Sequence, residues 1–182
     1  MEKKTNNYVF EDINDLVKYI IIKMKNDSHL RLQKTLYLAY AYYSATLGTF
    51  NESDDTELQE SFPRELCKCE FEAWKYGPVE KNVYTLIRDN LDLLENKEVL
   101  KEEEKMIEYL NRKNLSYVEK ETLDFLDGII EGTNKVNDFG LVERTHKDKA
   151  WREPFEQGNG GNHIKIGNDK IISEYIKKVQ RS

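Results

Sequence analysis

The sequence predicts a mainly α-helical, compact single-domain fold that contains a small β-hairpin or a short sheet. A chain of 182 residues suits one domain with one hydrophobic core. Apolar residues recur with a helical period in most segments, and alternation with the period of a strand is confined to short stretches. We therefore expect a single domain over residues 1–182, with its core at about 10–180.

Two capping residues mark the first two helices. Asp12 precedes an apolar stripe and is expected to cap the first helix, and Ser28 is expected to cap the second. The second helix carries apolar or aromatic residues around nearly its whole circumference, which is typical of a helix surrounded by other elements. It is therefore placed at the centre of the fold.

A strand is predicted at residues 66–74. Apolar side chains alternate there with charged ones, and the pattern ends at Gly77 and Pro78. The expected partner of this strand is either the region of Phe50 or the segment 163–166. The next helix is expected from about Glu80, with Pro78 at its start in one interpretation, because proline suits the first position of a helix.

The second half of the chain predicts further helices. Residues 98–112 are rich in charged side chains and are expected to form a surface helix, with Ile107 and Leu110 as its clearest core contacts. Ser116 and Glu119 have the spacing of a capping box, in which each side chain bonds the backbone of the other residue. They predict the start of another amphipathic helix.

The charge and hydropathy of the chain restrict its partners. The formal net charge is -6 and the pI is about 5.3, which argues against general binding to a nucleic-acid backbone, because that function needs concentrated Lys and Arg. No apolar run approaches the roughly 18 residues of a membrane span, and the N-terminus lacks the apolar core of a signal peptide. We expect a cytoplasmic protein that binds neither nucleic acid directly nor a membrane.

The candidate chemical groups do not combine into a catalytic, cofactor or metal motif. Cys67 and Cys69 could supply half of a metal site, but the histidines lack zinc spacing. Both cysteines lie on one face of the predicted strand, where a disulfide between residues i and i+2 would strain the backbone, so they are expected to be reduced core thiols. His146 lies near Glu143 and Asp148, which could orient a general base, yet no nucleophile stands in an activating motif. The glycine-rich loop at residues 158–162 lacks the Gly-Lys-Ser/Thr ending that binds nucleotide phosphates. We expect no enzyme activity, no cofactor and no metal.

Trp74, Tyr76 and Pro78 have two interpretations. In the first they form a rigid corner, in which Trp74 covers the hydrophobic centre and Gly77 permits a close backbone approach. In the second they form a protein-binding patch, because Trp and Tyr carry a large share of interface energy. The two roles are compatible. The expected protein-binding residues are Trp74, Tyr76, Pro78 and the downstream Trp151.

Three motifs follow one another in a characteristic order. They are LQKTLYLAY at residues 32–40, FEAWKYGPV at residues 71–79, and the pair Thr145-His146 followed by Trp151. Together they resemble the Panacea antitoxin domain, the SocA-like family of phage- and toxin-associated proteins, over nearly the whole chain. The resemblance implies that Thr145 and His146 form, together with Trp151, a structural signature of the family.

This resemblance implies an antitoxin that binds and neutralises a protein toxin. SocA-like members can also act as adaptors that deliver a toxin to the ClpXP protease. The alternative is a phage-encoded inhibitor of a host defence protein such as a CRISPR nuclease, in which the acidic residues 52–60 would imitate a nucleic-acid backbone. Many family members carry a separate DNA-binding domain, and we expect none here because the first helix is predicted near residue 12.

Overall fold

The computed structural model describes residues 7–52, 61–161 and 163–181. Within these ranges the chain forms ten α-helices, a 3-10 helix at Leu47–Glu52 and five short strands. The predicted mainly α class with a small sheet is confirmed. The helices are α1 Ile13–Lys23, α2 His29–Ala45, α3 Lys81–Asp89, α4 Asp92–Glu95, α5 Lys97–Lys101, α6 Glu104–Asn111, α7 Tyr117–Asn134, α8 Asp138–His146, α9 Lys149–Gln157 and α10 Asn168–Val179. The strands are β1 Tyr8–Phe10, β2 Glu65–Cys67, β3 Phe71–Trp74, β4 Gly77–Glu80 and β5 Ile164–Lys165.

Helix α2 lies at the centre of the fold, as the sequence predicts. Its N-cap Ser28 accepts a hydrogen bond from the backbone N–H of Arg31 at 3.2 Å. Almost every side chain from Arg31 to Ala45 is buried, because α1, α7, α8, α10, β2 and β4 all pack against this helix. A helix enclosed in this way needs apolar groups on all its faces, and its leucines, alanines and tyrosines supply them.

The strands form two small sheets. Strand β1 pairs with β2 in parallel, and the other three strands are antiparallel in the order β4-β3-β5. Of the two partners expected for the strand that ends at Trp74, the segment near Ile164 is confirmed, since Ala73 pairs with Ile164. Phe50 lies instead in the 3-10 helix. The parallel pairing of β1 with β2 was not predicted.

The predicted helix start at Pro78 is wrong. Residues Gly77–Glu80 form strand β4, which a two-residue turn connects to β3. Proline is tolerated there because β4 is an edge strand, and an edge strand does not need every backbone N–H for the sheet. Helix α3 begins after Glu80, whose side chain accepts a hydrogen bond from the N–H of Val83 at 2.7 Å.

The expectation that Cys67 and Cys69 are reduced thiols is also corrected. That expectation assumed one continuous strand, but β2 ends at Cys67 and β3 begins only at Phe71. Cys67 is the last residue of β2 and Cys69 lies in the irregular stretch that follows, and the Cα atoms of these two buried cysteines are 5.8 Å apart, a separation that suits a disulfide. The structure pairs the two residues as a disulfide.

The charged residues 98–112 fold into parts of two short helices rather than one. Helices α5 and α6 both pack against α1. The buried contacts of this segment are Leu100, Met106 and Tyr109, whereas Ile107, an expected core residue, is 43% exposed. In α6 the residues that face the core are therefore Met106 and Tyr109, and Leu110, the other expected contact, is partly buried against it.

The acidic segment behind the alternative function lies mostly outside the described residues. Glu52 ends the 3-10 helix, and residues 53–60 fall in the gap between the described ranges 7–52 and 61–161. Imitation of a nucleic-acid backbone by residues 52–60 therefore rests on the sequence alone.

Candidate functional site

The hairpin of β3 and β4 brings the four predicted binding residues together. Trp74 ends β3, Tyr76 lies in the turn, and Pro78 lies in β4. Trp151 belongs to α9, and its Nε1–H donates a hydrogen bond to the backbone carbonyl of Trp74 at 3.0 Å. Tyr76 is 53% exposed and Trp74 is half-buried, whereas Pro78 and Trp151 are buried. The hairpin thus presents two aromatic rings and is anchored through the other two residues.

The ring of Trp74 lies in an aromatic cluster near the surface. It stacks on the imidazole of His163 with a centroid separation of 3.9 Å, and it contacts the ring of Tyr84 at 4.8 Å. Its Nε1–H donates a hydrogen bond to Glu72 at 2.9 Å. The expectation that Trp74 covers the hydrophobic centre is therefore wrong, because its side chain packs against α3 and the segment before β5.

A groove of about 240 Å³ lies beside this hairpin. The rings of Trp74, Tyr76 and Tyr84 line it, together with His29 and Lys34 from the first two turns of α2. His29 also stacks on Tyr84 at 4.9 Å. The groove shares its aromatic lining with the exposed side of the hairpin, so the two features form one surface.

Lys34 is the buried basic residue of this surface. Its side chain has no exposed area, and its Nζ donates a hydrogen bond to the carbonyl of Pro78 at 2.8 Å. Burial lowers the pKa of Lys34 from 10.5 to about 7. No carboxylate within the described ranges forms an ion pair with this amine.

Gly77 is required at the point where Lys34 meets the hairpin. Its φ of +95° is a backbone conformation that residues with a Cβ rarely adopt. A Cβ at this position would lie 2.7 Å from Oγ1 of Thr145 and 2.9 Å from Cε of Lys34. The three sequence motifs therefore meet here, since Lys34, Gly77 and Thr145 each belong to a different one.

The imidazole of His146 packs against Trp151, and the nearby Asp148 bonds other residues. The two rings stack with centroids 4.0 Å apart and an interplanar angle of 4°. Asp148, which could have oriented a general base, accepts hydrogen bonds from the hydroxyls of Tyr37 and Tyr175 at 3.1 and 2.6 Å. Burial lowers the pKa of His146. The stacking agrees with the structural role that the family resemblance assigned to this histidine.

The polar groups of α2 that hold the hairpin were not predicted from the sequence. Besides Lys34, the side chain of Gln33 donates to the carbonyl of Glu80 at 3.3 Å and accepts from its N–H at 2.8 Å. The sequence feature that could have revealed these groups is the polar run from Gln33 to Thr35, since the helix was predicted to be enclosed on all sides. Buried polar side chains need hydrogen-bond partners, so this run indicated a polar contact inside the fold.

A family model described as "Antitoxin SocA-like, Panacea domain" matches residues 32–152, about two thirds of the chain. The chain belongs to this family. The matched Panacea range includes Gln33 and Lys34, the whole hairpin, and the pair of stacked rings at His146 and Trp151. No curated protein and no solved structure matches the chain.

Membership of the SocA-like antitoxin family confirms the resemblance seen in the sequence. It supports an antitoxin-type role, and such a role implies a protein partner. In the part of the chain that the structure describes, no helix is long and apolar enough to cross a membrane. The same residues contain no group of three or more side chains that could hold a metal ion.

Proposed function

We propose that this Panacea-domain protein is a cytoplasmic antitoxin that neutralises a protein toxin by binding it through the surface of the β3–β4 hairpin. The observation that carries the proposal is the position of Tyr76, an exposed aromatic residue in a turn that buried residues anchor. Tyrosine and tryptophan often supply the central contacts of protein interfaces. Tyr76 and Trp74 are therefore the proposed contact residues.

The anchoring of the hairpin favours tight binding. Lys34 and Trp151 each donate a hydrogen bond to a hairpin carbonyl, and Gln33 forms two more with the backbone of Glu80. A surface that is already ordered loses less conformational entropy when a partner binds. In this proposal Pro78 and Trp151 contribute by holding the contact residues in place.

The toxin can be neutralised in two ways after binding. In the first, the antitoxin covers a functional surface of the toxin and no protease is involved. In the second, it acts as an adaptor that delivers the toxin to ClpXP, as the family resemblance implies. Neither way requires catalysis by this chain.

The experiment that tests the proposal is co-expression with the product of the open reading frame next to its gene. The proposal predicts that growth is rescued and that the two proteins co-purify, because neutralisation by binding requires a complex. Rescue without a complex, or no rescue, would contradict it. Repeating the assay in cells that lack ClpX separates the two mechanisms, since rescue by sequestration persists there and rescue by an adaptor weakens.

The second candidate, a phage-encoded inhibitor of a host defence protein, has no specific contact in its favour. Its distinctive feature is the acidic sequence at residues 52–60, nearly all of which lies outside the described ranges. We therefore retain the antitoxin as the proposed function.

A further inference from the structure

The groove beside the hairpin differs in charge from the rest of the protein. The chain carries a formal net charge of -6. The groove is nevertheless lined by Lys34 and Lys75 together with the imidazoles of His29 and His163, and no aspartate or glutamate is among its lining residues in the described part of the chain. Charge complementarity thus favours an anionic partner group at this place.

Among these groups, Lys34 is fully buried and incompletely bonded. An ammonium group has three donors, and only the carbonyl of Pro78 accepts from Nζ among the described residues. A charged amine in such a site is costly unless an anion pairs with it. A bound carboxylate would supply a counter-ion and favour the protonated form of this amine.

The nearby carboxylates within the described ranges are engaged in other contacts. Glu80 accepts a hydrogen bond from the N–H of Val83 at the start of α3, and Glu72 accepts from the indole of Trp74. These bonds hold both carboxylates in their present positions. Among the described carboxylates, these two are therefore not free to pair with Lys34, and a carboxylate of a bound partner could do so.

The aromatic residues that line the groove indicate which kind of side chain stands next to the bound carboxylate. Trp74, Tyr76 and Tyr84 surround the basic residues with apolar ring surface. A carboxylate that stands next to an aromatic or aliphatic side chain would place its charge near Lys34 and its apolar part against these rings. A volume of about 240 Å³ suits one or two residues of a protein chain rather than a large cofactor.

We propose that the groove binds a carboxylate of the partner protein, carried beside an aromatic or aliphatic side chain, and that this carboxylate pairs with the ammonium group of Lys34. The inference rests on the proposed function for the source of the ligand. It adds that the toxin inserts an acidic group next to Tyr76.

The test is an NMR titration of the full-length protein with N-acetylphenylalanine, and with its neutral amide as the matched ligand. The indole N–H of Trp74 reports on occupancy of the groove. For a fragment of this size, we expect a dissociation constant on the order of millimolar for the acid. The amide is expected to bind roughly tenfold more weakly, because it cannot form a charge-assisted bond with Lys34.

Two variants locate the preference for the acid. Lys34→Met is expected to reduce binding of the acid to the level of the amide, whereas Lys113→Met, which removes an exposed lysine outside the groove, is expected to keep the preference. Equal binding of acid and amide by the wild type, no saturable shift with either ligand, or a preference retained in Lys34→Met would each overturn the inference. The wild-type comparison decides the matter even if Lys34→Met does not fold.

A second arm uses the purified complex with the toxin and separates this inference from the proposed function. N-acetylphenylalanine is expected to weaken the complex more than its amide does. If the acid binds preferentially but no toxin is neutralised, the proposed function alone fails. If a toxin is neutralised and bound but the acid shows no preferential binding over the amide, the carboxylate site alone fails.

The source of the carboxylate is tested with a further ligand. N-acetyl-aspartyl-phenylalanine amide distinguishes an acidic side chain of the toxin from its C-terminal carboxylate.

Discussion

The indole N–H of Trp151 donates a hydrogen bond to the backbone carbonyl of Trp74 across 3.0 Å, which ties α9 to the end of β3. Trp151→Phe keeps an aromatic ring against His146 but removes the donor. Because the carbonyl of Trp74 then loses this partner, we predict that the free energy of unfolding falls by about 1–3 kcal/mol. Urea denaturation measures the change, and an unchanged value would show that this bond does not anchor the hairpin.

Gly77 should tolerate no side chain. Gly77→Ala places a Cβ at a φ of +95° and within 3 Å of both Thr145 and Lys34, so we predict a loss of stability greater than about 1 kcal/mol. The control is Gly128→Ala in α7, where a Cβ meets nothing within 4 Å. That change should raise stability by about 0.5–1 kcal/mol, because alanine is the better helix former. Equal effects in thermal melts would refute the close approach at Gly77.

The burial of Lys34 predicts a specific dependence of stability on pH. The pKa of Lys34 falls from 10.5 in the unfolded chain to about 7 in the folded protein, so between these values the unfolded state binds more protons. Stability from this group is therefore reduced near pH 7 and rises with pH, by at most about 1.4 kcal/mol per pH unit. Urea denaturation between pH 7 and 9 should show this slope in the wild type.

The matched variant for that measurement is Lys34→Met. It removes the titrating amine, so its stability should rise less steeply with pH than that of the wild type over the same interval. Parallel curves for the two proteins would show that Lys34 keeps its usual pKa in the fold.

Trp74→Ala should cost less stability than the loss of a core tryptophan. Its ring is half-buried and packs mainly against His163 and Tyr84. We predict a decrease in the free energy of unfolding below the roughly 3–5 kcal/mol of a buried tryptophan, together with weaker binding of the toxin. A loss in that full range would indicate that the indole belongs to the core after all.

Local signals in the sequence predicted much of the helical framework. Asp12, Ser28 and Ser116 cap helices as expected, because a cap depends on residues within one turn of it. The central position of α2 followed from its apolar circumference. These features need no knowledge of distant parts of the chain.

The predictions that were wrong or missing concern features that depend on tertiary contacts. Pro78 looked like a helix start because the pairing of β4 with β3 has no local signal before Glu80. The disulfide between Cys67 and Cys69 depends on where β2 ends. Lys34 was overlooked because composition places lysine at the surface, and only packing of the hairpin over α2 reveals its burial.

Whether the surface around Tyr76 binds the toxin can be measured through the affinity of Tyr76→Ala for it. The matched control is Tyr117→Ala at the start of α7, since both tyrosines are 53% exposed. Both variants should keep a melting temperature within a few degrees of the wild type. We predict that Tyr76→Ala weakens toxin binding by roughly tenfold or more, whereas Tyr117→Ala binds like the wild type. Unchanged affinity in a folded Tyr76→Ala protein would show that Tyr76 is not a contact residue for the toxin.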